Sequence, residues 1–198
     1  METWTRARTR WMLVPFIDIA VRIGLTPNSL TVLGFVLNVV AGVLVGYGYI
    51  FAGGAVMTAL AMPLDALDGE LARKTNQQSR FGAFFDSTLD RFAEGALLMG
   101  LAAYFVQQND ITGVVVTFVA LVGSLMVSYT RARAEGLGIE CKVGLFSRFG
   151  RFLVLAAGLL STQVTPMIWA LAILSNYTAV ERIVYVWRVL RKSDGTLS

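Results

Sequence analysis

PLDALDGELARKTNQQSRFGAFFDSTLDR, residues 63–91, sets Asp65, Asp68, Asp86 and Asp90 between two long apolar runs. Each flanking run approaches the roughly 20 residues a helix needs to cross hydrocarbon. Carboxylates are expensive there: an ionised Asp at mid-bilayer costs about 2.5–3.5 kcal/mol, so four together cost roughly 10 kcal/mol before their mutual repulsion. The rest of the chain has the same character. Of its 198 residues 56% are hydrophobic and only 15% charged, well below the roughly 25% charged residues of a soluble domain. The composition therefore implies an integral membrane protein, with one polytopic unit using the whole chain.

Working outward, we expect an all-α fold with six transmembrane helices near 30–50, 52–73, 82–106, 111–131, 149–164 and 166–188. Together they form a single membrane domain over 1–198, with the bundle at 30–188. METWTRARTRWMLVPFIDIAVRIG mixes arginines with Trp4, Trp11, Leu13 and Phe16. Asp18 and Arg22 interrupt its apolar core and no small-residue cleavage site follows, so it is expected to stay in the mature protein. It reads as an amphipathic interfacial helix within 1–25. The loops near 50–53, 107–111 and 162–167 contain no Lys or Arg, so all 17 basic residues fall at the opposite side. Basic residues concentrate in the cytoplasm, which puts both termini and the aspartate stretch there, in a membrane of prokaryotic type. Spread this way, the net charge of +4 points to membrane lipids and not to nucleic acid. The absence of histidine excludes imidazole chemistry, and Cys141, the one cysteine, reads as an incidental thiol.

Residues three or four apart share a helix face. Asp65 and Asp68 thus point one way near the end of the second span, and Asp86 and Asp90 near the start of the third. Gly69 and Gly82 remove bulk where the helices, or a ligand, approach. Two carboxylate pairs facing one another across a seam suit hard divalent cations, and two ions about 4 Å apart suit four carboxylates best. A salt-bridge network with Arg73 and Arg91 is the structural alternative.

The pattern D-x2-D-G-x2-A-R-x8-G-x3-D-x3-D is met in full by Asp65, Asp68, Gly69, Ala72, Arg73, Gly82, Asp86 and Asp90. It resembles the signature of the CDP-alcohol phosphotransferases, and the likeness extends over six spans, a preceding surface helix and TPNSLT, residues 26–31. The resemblance implies a reaction in which an acceptor hydroxyl attacks the lipid-bonded phosphorus of a CDP-linked donor and CMP leaves. It also implies that Asp65, Asp68 and Asp86 hold Mg²⁺ or Mn²⁺, that Asp90 is the general base and touches a metal too, and that the protein is a homodimer. Gly69, Ala72 and Gly82 leave room for the CDP-lipid, with Asp68, Thr31, and Arg73 or Asn28 beside it. Pro27-Asn28 reads equally as a helix start, with Asn28 as cap and Thr31 in the first turn.

SYTRARAEGLGIECKVGLFSRFGR, residues 128–151, gathers a second polar group. The fifth apolar run is short, so its start sits at headgroup depth, where charges face a cavity and guanidiniums can clamp a phosphate. Ser128, Arg131, Arg151 and Arg182 stand where the branch of the family that makes phosphatidylinositol phosphate holds its acceptor phosphate, although a lysine is usual in some members at Arg131. The resemblance thus favours inositol 1-phosphate as the phosphorylated polyol acceptor, joined to CDP-diacylglycerol or a CDP-linked ether lipid. Glycerol 3-phosphate as acceptor and CDP-inositol as donor are the rivals, and a cation transporter is the alternative from another class. Arg133, Lys142 and Arg148 read chiefly as basic residues marking the inner leaflet. Gly42, Gly46, Gly53 and Gly54 read as packing and turn positions. Asp18, Glu70 and Glu94 are flanking charges, of which Glu94 is best placed to line a cavity.

Overall fold

A computed structural model describes residues 17–144, 146–193 and 195. All elements among them are helical: α1 (17–22), α2 (Pro27–Gly46), α3 (Ile50–Lys74), α4 (Arg80–Gln107), α5 (Ile111–Glu135), α6 (Arg148–Leu160) and α7 (Val164–Ser193). Of these, α2, α3, α5 and α7 are long and apolar enough to cross a membrane. The first half of α4 is too charged to meet that measure, and α6, with 13 residues, reaches only about 20 Å at 1.5 Å per residue. The interfacial helix expected within 1–25 falls mostly outside the described residues. Its visible end, α1, buries Ile17 and Ala20 with Leu30, Leu67 and Leu71, and Asp18 accepts an ion-pair bond from Lys74. The chain before α2 is thereby fastened to the helix ends that carry Asp68.

Helix α2 starts earlier than the sequence reading has it. Thr26, not Asn28, is the N-cap: its side chain accepts from the Ser29 amide while the Ser29 side chain accepts from the Thr26 amide. Pro27 fills the first helical position, where its missing N–H costs nothing. Asn28 is exposed and has no capping role.

Two seams organise the bundle, α2 on α4 and α5 on α7, with α6 packed against α3 and α7. The first seam is a contact between backbones. A Cβ added at Gly100 would lie 2.0 Å from the Gly42 carbonyl oxygen, and one at Gly42 2.5 Å from that of Ala96. Small residues permit this approach, and close van der Waals packing replaces the hydrophobic drive that lipid cannot supply. At the far end the Gln107 side-chain amide donates to the Gly46 carbonyl at 2.6 Å. Gly100→Ala is therefore expected to cost at least the roughly 1–3 kcal/mol typical of overpacking. A lowered thermal midpoint in detergent would show it; an unchanged midpoint would mean that the seam opens freely. Gly53 and Gly54 are not turn residues. They lie within α3, where a Cβ at Gly53 would meet Val45 and one at Gly54 would meet Leu159.

Helix α3 is not uniform. Val56–Ala61 forms a π-helical turn in which the Met62 amide reaches back to the Met57 carbonyl. The cause is local: Pro63 lacks the N–H that an α-helix would direct to the Ala59 carbonyl, and its ring crowds that carbonyl. Widening the turn relieves the conflict, and such turns commonly neighbour functional groups. Asp65 follows just after the proline.

Candidate active site

The end of α3 and the start of α4 bring Asp65, Asp86 and Asp90 together, one carboxylate oxygen of each lying within 4.8 Å of the others. Ser79 starts α4 by accepting the Gly82 amide at 2.9 Å, which fixes the face on which Asp86 and Asp90 project. Asp68 stands apart from this trio. It is 7% exposed, and its Oδ2 accepts the Thr31 hydroxyl at 2.7 Å, tying α3 to α2. The expected nest of four is thus a trio plus a neighbour already engaged by α2.

The cations differ from those expected. Arg148, read from sequence chiefly as a leaflet marker, opens α6 and enters the site: its Nη2 donates to Asp65 Oδ1 at 2.8 Å and to Asp90 Oδ1 at 2.5 Å. The signal lies in its spacing from Arg151, one turn on along the same helix. Arg91 lies 3.2 Å from Asp90 Oδ2. Arg73 faces outward and pairs with Glu70 at 2.7 Å, and Lys142 pairs with Glu140 in the loop before α6. Asp86 Oδ1 is buried without a hydrogen-bond partner. A buried acceptor of this kind calls for a partner, and clustered carboxylate oxygens are the donor set of a hard divalent cation. The residues present fit such an ion.

A cavity of about 360 Å³ reaches Asp65 and Asp90 of the trio, and Thr31, Asp68, Glu94 and Arg148 also line it. Phe35, Met57, Leu97, Phe152 and Leu155 form the apolar remainder, with Asn38 among them. Sequence reasoning misses Asn38, because one amide inside an apolar run carries no periodic signal. The mixed lining suits a ligand that carries both charged and hydrocarbon groups.

Of the remaining expected residues, Gly82 and Asn28 come together across α2 and α4: a Cβ at Gly82 would lie 3.6 Å from Asn28 Oδ1. Gly69 and half-buried Ala72 flank Arg73 on the last turns of α3. Arg151 is 2% exposed and grips Glu94 in a bidentate pair, Nε to Oε1 at 2.8 Å and Nη2 to Oε2 at 3.2 Å. Arg182, 6% exposed, donates to the Val143 carbonyl at 3.0 Å and to the Val127 carbonyl of α5. That brings it to the turn of α5 that carries half-buried Ser128. Arg131 is not drawn in; it is exposed and pairs with Glu135 at 2.8 Å.

A sequence model of the CDP-alcohol phosphatidyltransferase family matches residues 24–188. The chain belongs to that family. It is 38% identical over 183 residues to the archaetidylinositol phosphate synthase of Methanothermobacter thermautotrophicus, covering 89% of this chain and 91% of that protein. It is 34% identical over 211 residues to the phosphatidylinositol phosphate synthase of Streptomyces avermitilis, covering 98% and 86%. The crystal structure of the Mycobacterium tuberculosis phosphatidylinositol phosphate synthase with CDP-DAG bound superposes with a TM-score of 0.81 at 32% identity, over 87% of this chain and 92% of that one. Another structure of that mycobacterial enzyme contains manganese and citrate. Membership makes this CDP-alcohol phosphotransferase a phospholipid-synthesising transferase and sets the transporter alternative aside.

Proposed function

We propose that this protein transfers a phosphatidyl or archaetidyl group from a CDP-activated lipid to a hydroxyl of inositol 1-phosphate, releasing CMP. The observation that carries the proposal is the meeting of Asp65, Asp86 and Asp90 from two helices, with Asp65 and Asp90 lining a cavity whose walls are otherwise mixed polar and apolar. The names of the similar proteins support the acceptor. In this reading Asp65, Asp86 and Asp90, with Asp68 beside them, hold Mg²⁺ or Mn²⁺, as two ions. Bound there, a divalent cation would offset the charge that develops on the diphosphate. Thr31 orients Asp68, while Asn28, Gly69, Ala72, Arg73 and Gly82 border the CDP group. Asp90 accepts the proton of the acceptor hydroxyl as the new oxygen–phosphorus bond forms and the bond to CMP breaks. Ser128, Arg131, Arg151 and Arg182 take the acceptor phosphate, with Arg131 turning from Glu135 to do so.

The same reading gives six membrane crossings, α4 and α6 included, with both termini and the site on the cytoplasmic side. The placement of the basic residues supports it. It also gives a homodimer in a prokaryotic-type membrane.

Purified protein supplied with Mg²⁺ and CDP-diacylglycerol, or its ether counterpart, is expected to release CMP with inositol 1-phosphate in preference to glycerol 3-phosphate. No release with any phosphorylated polyol would overturn the reaction; preference for glycerol 3-phosphate would overturn the acceptor. Arg182→Ala is expected to raise the acceptor KM about 10–100-fold, the worth of a hydrogen bond to a charged group, with donor KM unchanged. An unchanged acceptor KM would remove Arg182 from the site.

A further inference from the structure

Glu94 lies one helical turn beyond Asp90 on α4, on the face that carries Asp86 and Asp90, and it lines the cavity. A carboxylate in that position could serve as a second base, but its bonds argue otherwise. Oε1 accepts both the Ser124 hydroxyl and Arg151 Nε, and Oε2 accepts Arg151 Nη2. With three donors on two oxygens and a guanidinium among them, Glu94 is an anchored anion.

What it anchors is unusual. The guanidinium of Arg151 is buried, yet its Nη1 has no hydrogen-bond partner. A guanidinium is planar and its N–H groups form a rigid fork. Fixing the Nε–Nη2 edge against Glu94 therefore also fixes the direction of Nη1. A buried donor left unmet calls for a partner, and an anionic oxygen is the strongest partner a guanidinium takes. Ser124, from the next helix, holds Oε1 in place and with it the plane of the pair.

We propose that Glu94 is a positioning residue for the acceptor: by holding one edge of Arg151 it presents the Nη1 edge to the phosphate of the incoming polyol. This rests on the transfer reaction proposed above and names a residue that acts in it through another. The competing account is a brace, in which the pair only ties α4 to α6.

The test uses the full-length protein in detergent or nanodiscs with Mg²⁺, CDP-lipid and whichever phosphorylated polyol the wild type turns over. Glu94→Gln keeps the size but turns an amide N–H₂ toward Arg151. It is expected to raise the acceptor KM about 10–100-fold while donor KM and the thermal shift produced by donor stay as in wild type. Preference for the phosphorylated over the unphosphorylated polyol should shrink by a similar factor. Glu94→Asp, which keeps the charge, should recover part of the loss, and Ser124→Ala should show a smaller rise in acceptor KM alone. A brace would instead lower stability and disturb donor and acceptor parameters together. That result overturns the proposal, as does an unchanged acceptor KM in Glu94→Gln. If Glu94→Gln does not fold, unchanged acceptor KM in both Glu94→Asp and Ser124→Ala overturns it equally. Wild-type protein that releases no CMP with any acceptor would sink the transfer reaction itself, and this inference with it. An active wild type with an indifferent Glu94→Gln sinks the inference alone.

Discussion

Asp90→Asn is expected to lower CMP release by about 10²–10⁴-fold, the usual worth of a positioned base, while CDP-lipid binding survives. The substitution keeps the size of the side chain and leaves Asp65, Asp68 and Asp86 unaltered. What it removes is the site that receives the acceptor proton, together with one carboxylate of the metal group, of which those of Asp65, Asp68 and Asp86 remain. In the structure Asp90 stands between Arg148, which donates to Oδ1, and Arg91, near Oδ2. An asparagine in the same place has no carboxylate to take up that proton. Donor affinity is measured on the same preparation by the thermal shift that CDP-lipid produces. If donor affinity falls as far as turnover does, Asp90 serves mainly to bind, and its assignment as base is wrong.

Chelation of divalent ions is expected to abolish CMP release, and Asp86→Asn to reproduce that loss in the presence of metal. Asp86 is the clearest candidate because its Oδ1 is buried with no partner, whereas Arg148 already bonds Asp65 and Asp90. Losing a group that merely supports a metal ligand costs roughly 10–100-fold in affinity or activity, so losing a ligand should cost at least about 100-fold. A titration of Mn²⁺ against thermal stability reads this without turnover. Wild type should show a saturable rise in midpoint, and Asp86→Asn a much weaker one. An equal rise in both would show that the ion binds elsewhere.

Much of this architecture is legible in the residues alone. The helices lie close to where the apolar runs place them, because alternation between long lipid-compatible runs and short polar breaks leaves few other solutions. The spacing of Asp65, Asp86 and Asp90 determines their faces in the same way. Other features escape for physical reasons. Arg131 lies near the end of α5 and Arg148 opens α6, on either side of one basic loop, and apart from the spacing of Arg148 from Arg151 it is tertiary packing that sends one into the cavity and leaves the other on the surface. Asp68 and Thr31 are far apart in sequence, so their bond has no local signal. Asn28 and Thr26 compete for one capping position, and Pro27 favours the residue before it. Glu94 is visible as a cavity candidate, but its partners on α5 and α6 are not.

The wide turn at Val56–Ala61 acts as a phase shifter. In a straight α-helix Gly54 and Asp65 would fall on nearly one azimuth, since three turns occupy about 11 residues. Accommodating one additional residue rotates everything downstream by about 100°. The glycine pair can therefore seat against α2 and α6 while the carboxylates take a bearing of their own toward α4. Sequence drift that alters how the upper half of this helix nests need not disturb the aim of the lower half, so long as Pro63 keeps the two uncoupled.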